Sequence, residues 1–258
     1  IDPTETTLTI TMMISASLSV TLLNSLLYTS SEIDAPLQKL REFQIICMTK
    51  LVSCFPWDGR LQATLKNARL SPQSDSILNV CAWKGVECFD GFITKISWWP
   101  HSSLLTVNYD WIPPTVQILH IHRAHASPFP FRTKQLPGFL QECWLIGCHL
   151  QGEIDLRTLP HKIVVFSVPE NGFIGTVHLT HLPKLIRVIN FHNNHISEVI
   201  VINENLPRTL SSASFSQSST KVNFVCMDGK MVDMRVNANW YNPYGDWSDE
   251  DENGLGPL

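Results

Sequence analysis

Apolar residues recur along this chain at an interval longer than any helix or strand repeat. An apolar residue followed by proline stands at Ile112-Pro113, Leu136-Pro137, Leu159-Pro160, Leu182-Pro183 and Leu206-Pro207, at intervals of 24, 23, 23 and 24 residues. Counted from that residue, apolar side chains fill three further columns. Four on stand Val116, Leu140, Ile163, Ile186 and Leu210; seven on stand Leu119, Cys143, Phe166, Ile189 and Ala213; nine on stand Ile121, Leu145, Val168, Phe191 and Phe215. The alternation between the last two columns predicts a short strand whose successive side chains face opposite ways. A period in the twenties predicts a solenoid, in which each unit buries its apolar face against its neighbours. A unit starting at Phe89, with Ile93, Ile96 and Trp98 in register, extends the series one step back.

Twelve positions on, where the chain turns away from the strand, stand Ala124, Cys148, Asn171, Asn194 and Ser218. An Asn amide there can satisfy backbone groups of the neighbouring turn that burial would leave unpaired. Ala124 cannot, so a side-chain ladder is expected to break at the second unit. After the turn, residues 152–156, 175–179 and 198–202 alternate again. They read as a second short strand or as an irregular apolar edge on the convex side. Too few residues remain per unit for a full helix.

Ahead of the repeats, residues 34–70 carry helical spacing. Asp34 is suited to cap a helix, Pro36 to its first turn, and Leu37, Leu40, Phe43, Cys47 and Leu51 to one face. Phe55-Pro56 ends that helix. A second is expected over about Asp58–Arg69, with Leu61 and Leu65 inward. Such helices would cover the open end of the first unit.

The columns together spell L-x-x-L-x-L-x-x-N/C-x-L, and the chain resembles the leucine-rich-repeat family. Cys81-Ala-Trp83-Lys-Gly85-Val86-Glu-Cys88 resembles the C-x-W-x-G-V-x-C cap of extracellular plant-receptor and protist repeats, and Leu150-Gln-Gly152-Glu-Ile154 resembles their L-x-G-x-I element. The resemblance covers roughly residues 75–226. It implies an α/β fold: a strand-rich, right-handed solenoid with a curved parallel sheet of about six repeats and a helical N-terminal cap. It also implies a disulfide between Cys81 and Cys88. The organisation expected is a signal peptide or anchor over 1–31, a cap over 32–88, repeats over 89–228 and a C-terminal cap with an acidic tail over 229–258.

The chain departs from the family in places. Trp98, Trp99 and Pro100 crowd the first strand; the second unit has Ser127-Pro-Phe-Pro-Phe131 in place of L-x-G-x-I; the sixth has serines where leucines are usual. Cys143 and Cys148 occupy core columns and read as small buried apolar groups. Cys47 and Cys54, seven apart on a helix, are too distant for easy bridging, and Cys226 has no assigned partner.

In this fold, positions six, eight, ten, eleven and thirteen of each unit point to the concave face. The second unit places Ile118, His120, His122, Arg123 and His125 there; the third Glu142, Trp144, Ile146 and His149; the fifth Val188, Asn190, His192, Asn193 and His195. The fourth and sixth add Ser167, Glu170, Ser212, Ser214, Ser216 and Gln217. With Trp99 these form either a plain polar surface or a binding surface with aromatic anchors. Aromatic residues and Arg dominate interface hot spots. Imidazoles titrate between about pH 5 and 8, so recognition there is expected to follow pH. His125 and His149 share a column in adjacent units, close enough for one zinc ion with Glu142 or His122 as a third ligand.

Net charge of −4 with no Lys/Arg run disfavours a nucleic-acid partner. From Leu8 to Tyr28 no residue is charged. That stretch suits a signal peptide, a signal anchor or neither, and brings membrane association within reach. Asp249-Glu-Asp-Glu-Asn-Gly254 reads as a solvated acidic tail. No nucleophile motif, HExxH or phosphate loop occurs. The expected function is a non-enzymatic module that binds a protein or peptide on its concave face, without a cofactor. A receptor-like ectodomain is the alternative, and a metal hydrolase a remote one. The expected location is secreted or at the cell surface, with the cytoplasm as alternative.

Overall fold

The computed structural model describes residues 30–52, 60–72, 76–99, 105–126, 130–217 and 221–239. The uncharged stretch 8–28, Cys54, Phe55-Pro56, Ser218, the aromatic run from Trp240 and the acidic tail lie outside the described residues. The strands are β1 Val86–Phe89, β2 Phe92–Trp98, β3 Thr106–Val107, β4 Ile118–His122, β5 His125–Ala126, β6 Glu142–Ile146, β7 Gln151–Gly152, β8 Val165–Ser167, β9 Gly172–His178, β10 Val188–Asn190, β11 His195–Val201, β12 Ser212–Ser214, β13 Asn223–Cys226 and β14 Val236–Asn237. They build a parallel β-solenoid of about six turns. One sheet runs β1-β2-β4-β6-β8-β10-β12-β14, and all of it is parallel except the β1–β2 hairpin. A second runs β13-β11-β9-β7, and β3 pairs with β5 in a third. The stretches 175–179 and 198–202 therefore fall largely within β9 and β11, whereas of 152–156 only Gly152 is strand, in the two-residue β7.

The leucine-proline pairs have a local cause. Short 3₁₀ turns at Tyr109–Trp111, Thr133–Gln135, Leu156–Thr158 and Asn203–Asn205 end on Ile112, Leu136, Leu159 and Leu206, each with extended backbone. A residue before proline is pushed out of the helical region. The proline thus stops the turn and aims the chain at the next strand. The following columns are buried throughout: Val116, Leu140, Ile163, Leu119, Cys143, Phe166, Ile189 and Ala213 are all fully inaccessible. Cys143 and Cys148 are free and buried, as their columns predict.

At the turn, Arg123, Gly147, Glu170 and Asn193 take positive φ values of 50°, 59°, 55° and 56°. Each then donates its backbone N–H to the next unit. Arg123 bonds Ile146 O at 2.8 Å, Gly147 bonds Pro169 O at 3.1 Å, Glu170 bonds His192 O at 2.8 Å and Asn193 bonds Ser216 O at 2.8 Å. The buried amides that follow form the expected ladder. Asn171 Oδ1 accepts from Cys148 N and Leu150 N, both at 3.0 Å, while its Nδ2 donates to Leu145 O, Pro169 O and Val168 O. Asn194 repeats the device with Phe173 N and with Val168 O, Phe191 O and His192 O. The Cys148 thiol serves Ile121 O and Ile146 O. Ala124 fills its column with a buried methyl group.

The second unit's departure has a packing role. Phe131 is buried and meets Tyr109 edge-on at 5.7 Å and Phe173 at 6.1 Å. Its ring ties the second unit to the core through these two aromatic contacts.

Among the described residues, two helices precede the strands. α1 spans Ser30–Val52 and α2 spans Leu61–Asn67. α1 starts four residues ahead of Asp34, so Pro36 lies inside the helix rather than in its first turn. It also crosses the boundary between two compact units, Ile1–Phe43 and Gln44–Leu258. In the first, Gln38 Nε2 donates to Glu42 Oε1 one turn away at 3.1 Å. In the second, Cys47, Met48, Leu51 and Val52 are buried with Leu65 of α2. Gln44 is 1% exposed and works like a length of strand: Nε2 donates to Gly91 O at 3.1 Å, and Oε1 accepts from Ile93 N at 2.7 Å and Thr115 Oγ1 at 3.0 Å. Asn108 N donates to Leu51 O at 2.8 Å, and Lys50 Nζ sits 3.8 Å from the Trp111 ring centre.

Cys81 and Cys88 are disulfide-bonded. Between them, Trp83 is 1% exposed and its Nε1 donates to Ile77 O at 2.9 Å. Gly85 has φ +77°, and a Cβ there would stand 2.1 Å from Ser97 O. Only glycine lets that backbone approach β2. Asp90 and Gly91, at φ 50° and 79°, close the β1–β2 hairpin with the turn that Asp-Gly favours.

Candidate functional site

Parallel register turns the outward face of the eight-stranded sheet into straight rows. One row runs Lys95, Ile118, Glu142, Val165, Val188 and Ser212 across β2, β4, β6, β8, β10 and β12. The next runs Ser97, His120, Trp144, Ser167, Asn190, Ser214 and Asn237. A third pairs His122 with Ile146. Lys95 and Ser97 were not among the expected site residues. They stand six and eight past Phe89, so the same column rule finds them once the first unit is counted.

The two halves of this face differ. In the later strands Ser167, Val188, Asn190, Ser212 and Ser214 are buried. Asn190 Oδ1 accepts from His192 N at 2.9 Å, and Ser214 Oγ donates to Asn239 O. The Asn190 and Ser214 oxygens are thus used internally. At the earlier end, Trp99, one residue past β2, is 44% exposed and its ring stacks on His122 at 4.2 Å with planes 17° apart. His120 meets Trp144 edge-on at 6.1 Å, and its Nε2 lies 3.3 Å from Glu142 Oε2. Trp144 itself is 6% exposed, so it supports the patch rather than presenting a surface.

The remaining expected residues sit at the corner between sheets. Arg123 and His149 occupy positive-φ turn positions and are exposed. His125 opens β5 and His195 opens β11. The His125 and His149 rings stack at 4.6 Å, 7° from parallel. Rings stacked face to face direct their in-plane nitrogen lone pairs alongside one another rather than at a shared point between them. Among the described residues no group of three or more His, Cys, Asp or Glu is placed to hold a metal ion. His192 Nδ1 lies 2.6 Å from Ser216 Oγ.

Electrostatics separate the histidines. Burial, then Arg123 and His120, pull His122 down to about 4. It is therefore neutral across the range in which recognition by this face was expected to follow pH. Burial also lowers His192, against Glu170 and the Ser216 contact. The contact with His120 holds the Glu142 carboxyl below its ordinary value, against partial burial.

The His122 shift has a stability consequence. Its folded value of about 4 lies below the ordinary 6.5, so the unfolded chain takes up the proton first as pH falls. Its contribution is full above pH 6.5 and is lost from there down towards pH 4. Between pH 7 and 4.5 the loss is about 2 kcal/mol. Urea unfolding at the two pH values should show that loss in the wild type and a shallower one in His122→Gln. Equal slopes would mean that folding leaves the imidazole's proton affinity unchanged.

Among the described residues, no helix is long and apolar enough to cross a membrane. Compared with models of known protein families, with curated proteins and with solved structures, the chain matches none.

Proposed function

We propose that this chain is a leucine-rich-repeat protein of the plant-receptor-like and protist subclass, with α1, α2 and the Cys81–Cys88 segment as its N-terminal cap. It acts as a non-enzymatic interaction module and holds a protein or peptide on the concave face. One observation carries the reading: Trp99, half exposed and stacked on His122, stands on the earlier part of a face whose later part is buried. An aromatic ring held in place by its neighbour supplies contact area at low entropic cost, as binding hot spots do. The turn ladder supports the repeat assignment, because Asn171 and Asn194 each bond the backbone of the preceding unit in the same way.

The test is photo-crosslinking from two positions. A crosslinker placed at Trp99 should capture a partner from the native source, and one at Ile174 on the second sheet should not. Trp99→Ala should weaken capture from a neighbouring concave position at least tenfold. Capture from Ile174 alone would move the interaction to the convex side.

The disulfide favours a second, compatible reading: a ligand-sensing ectodomain, secreted or at the cell surface. Disulfides persist in oxidising compartments and are rare in the cytosol. N-terminal sequencing with localisation tests it. A mature start near Ser31 in secreted or surface material supports the reading; an intact cytoplasmic chain removes it.

A further inference from the structure

The earlier half of the sheet face holds one carboxylate whose charge has no permanent counter-ion in contact. Glu142 is about a third exposed at its side chain, and its ion-pair contact among the described residues is His120, which is charged only when protonated. Lys95 stands two strands away in the same row, but its ammonium is engaged by Glu87 at 2.8 Å. The carboxylate's neighbours are weakly polar: Ile118 beside it, the His120 ring, and Trp144 set edge-on to that ring. A planar cation bordered by rings suits such a place better than a compact one. Guanidinium forms two parallel bonds to a carboxylate and stacks on aromatic faces, whereas an ammonium prefers its own hydration.

The second anchor lies further along the same strand. His122, under the Trp99 ring, is four residues along β4 from Ile118, which pairs with Glu142, and the Glu142 carboxylate comes within 3.3 Å of His120 Nε2, two residues short of His122. At about 3.3 Å per strand residue the two anchors are about two to four residues apart along the strand. An extended peptide covers that span with side chains about two to four positions apart.

We propose that this patch recognises an extended peptide segment carrying an arginine that pairs with Glu142 and, about two to four residues away, an aromatic or aliphatic side chain that packs on Trp99. The proposal rests on the concave-face reading and adds the chemistry of the partner. Charge complementarity selects it: an ionised, partly buried carboxylate disfavours an acidic segment at this point and rewards a cationic one.

Selection from a displayed library of random linear twelve-residue peptides tests it, with the folded protein as bait. The expected result is enrichment of arginine at one register position, about two to four residues from an apolar or aromatic residue. A synthetic peptide of that sequence should bind Glu142→Gln about tenfold more weakly, and replacing its arginine by neutral citrulline should cost the wild type the same factor. Glu142→Gln keeps the side chain's shape, and a circular-dichroism melt of the variant confirms its fold. Peptides that lose binding to Trp99→Ala but ignore both Glu142→Gln and citrulline would overturn the arginine assignment and leave the concave-face reading standing. Enrichment no greater than on bare support, or binding indifferent to Trp99→Ala and Glu142→Gln alike, would overturn both.

Discussion

Asn171→Ala is expected to lower the unfolding free energy by about 4 kcal/mol. The side chain is 6% exposed and every polar atom of it is engaged. Its carbonyl oxygen takes two backbone N–H groups from the preceding turn, and its amide nitrogen serves three carbonyls, of which Leu145 O is the nearest at 2.7 Å. Truncation leaves two buried donors without their partner at a point that water does not reach in the folded chain. Each such orphan costs about 1–3 kcal/mol. Asn171→Asp would keep the acceptor, lose the donor and bury a charge among three carbonyl oxygens, so it should be at least as damaging. Urea denaturation at pH 7 measures both. A loss below about 1 kcal/mol for the alanine variant would mean that solvent substitutes for the amide, and that the ladder contributes geometry rather than stability.

Phe191→Ala is expected to cost a similar amount, about 4 kcal/mol, by a different route. The ring is fully buried where the two main sheets face each other. It stacks on Phe215 at 5.4 Å with planes 6° apart, and stands 6.0 Å from Phe173 and 6.1 Å from Phe166. Those rings come from the neighbouring units on both sides. Truncation opens a cavity between β-strands whose backbones are tied by ladders and cannot close in to fill it. Phe191→Leu retains most of the volume and should cost only about 1 kcal/mol. The contrast between the two variants, read in the same denaturation assay, isolates the cavity from the loss of aromatic geometry. Equal costs for leucine and alanine would show that ring stacking, not filled volume, is what the position supplies.

Much of this scaffold was legible before any coordinates. The proline-marked period placed the strands, the apolar columns placed the core, and the Asn column placed the amides that tie the turns. These are readable because each unit's demands are local and repeat. The disulfide came through the family resemblance of its flanking motif. What escaped notice was long-range or unrepeated. Gln44 reads as one more polar residue on a helix, yet it bonds Ile93 and Thr115, 49 and 71 residues away. Phe131 looked like part of a deviant loop and proved to be core. At the candidate site the column rule gathered His120, His122, Glu142 and Trp144 on one face, with Trp99 stacked beside them. It gave no measure of depth, so it ranked Trp144 and Asn190 with the accessible residues although both are buried. Nor could spacing show that His122 lies beneath Trp99, where burial keeps it neutral.

The forward-donating turns carry a last consequence. Arg123, Gly147, Glu170 and Asn193 each hand a backbone hydrogen to the unit that follows, and each acceptor is equivalent to the next. If one whole period were copied or excised, the cut donor would meet an acceptor of the same kind in the same place. The gene can thus lengthen or shorten by a period without leaving a buried group unmatched. A chain built this way can drift in repeat number while keeping its joints, and individual units such as the second can be rewritten by packing alone.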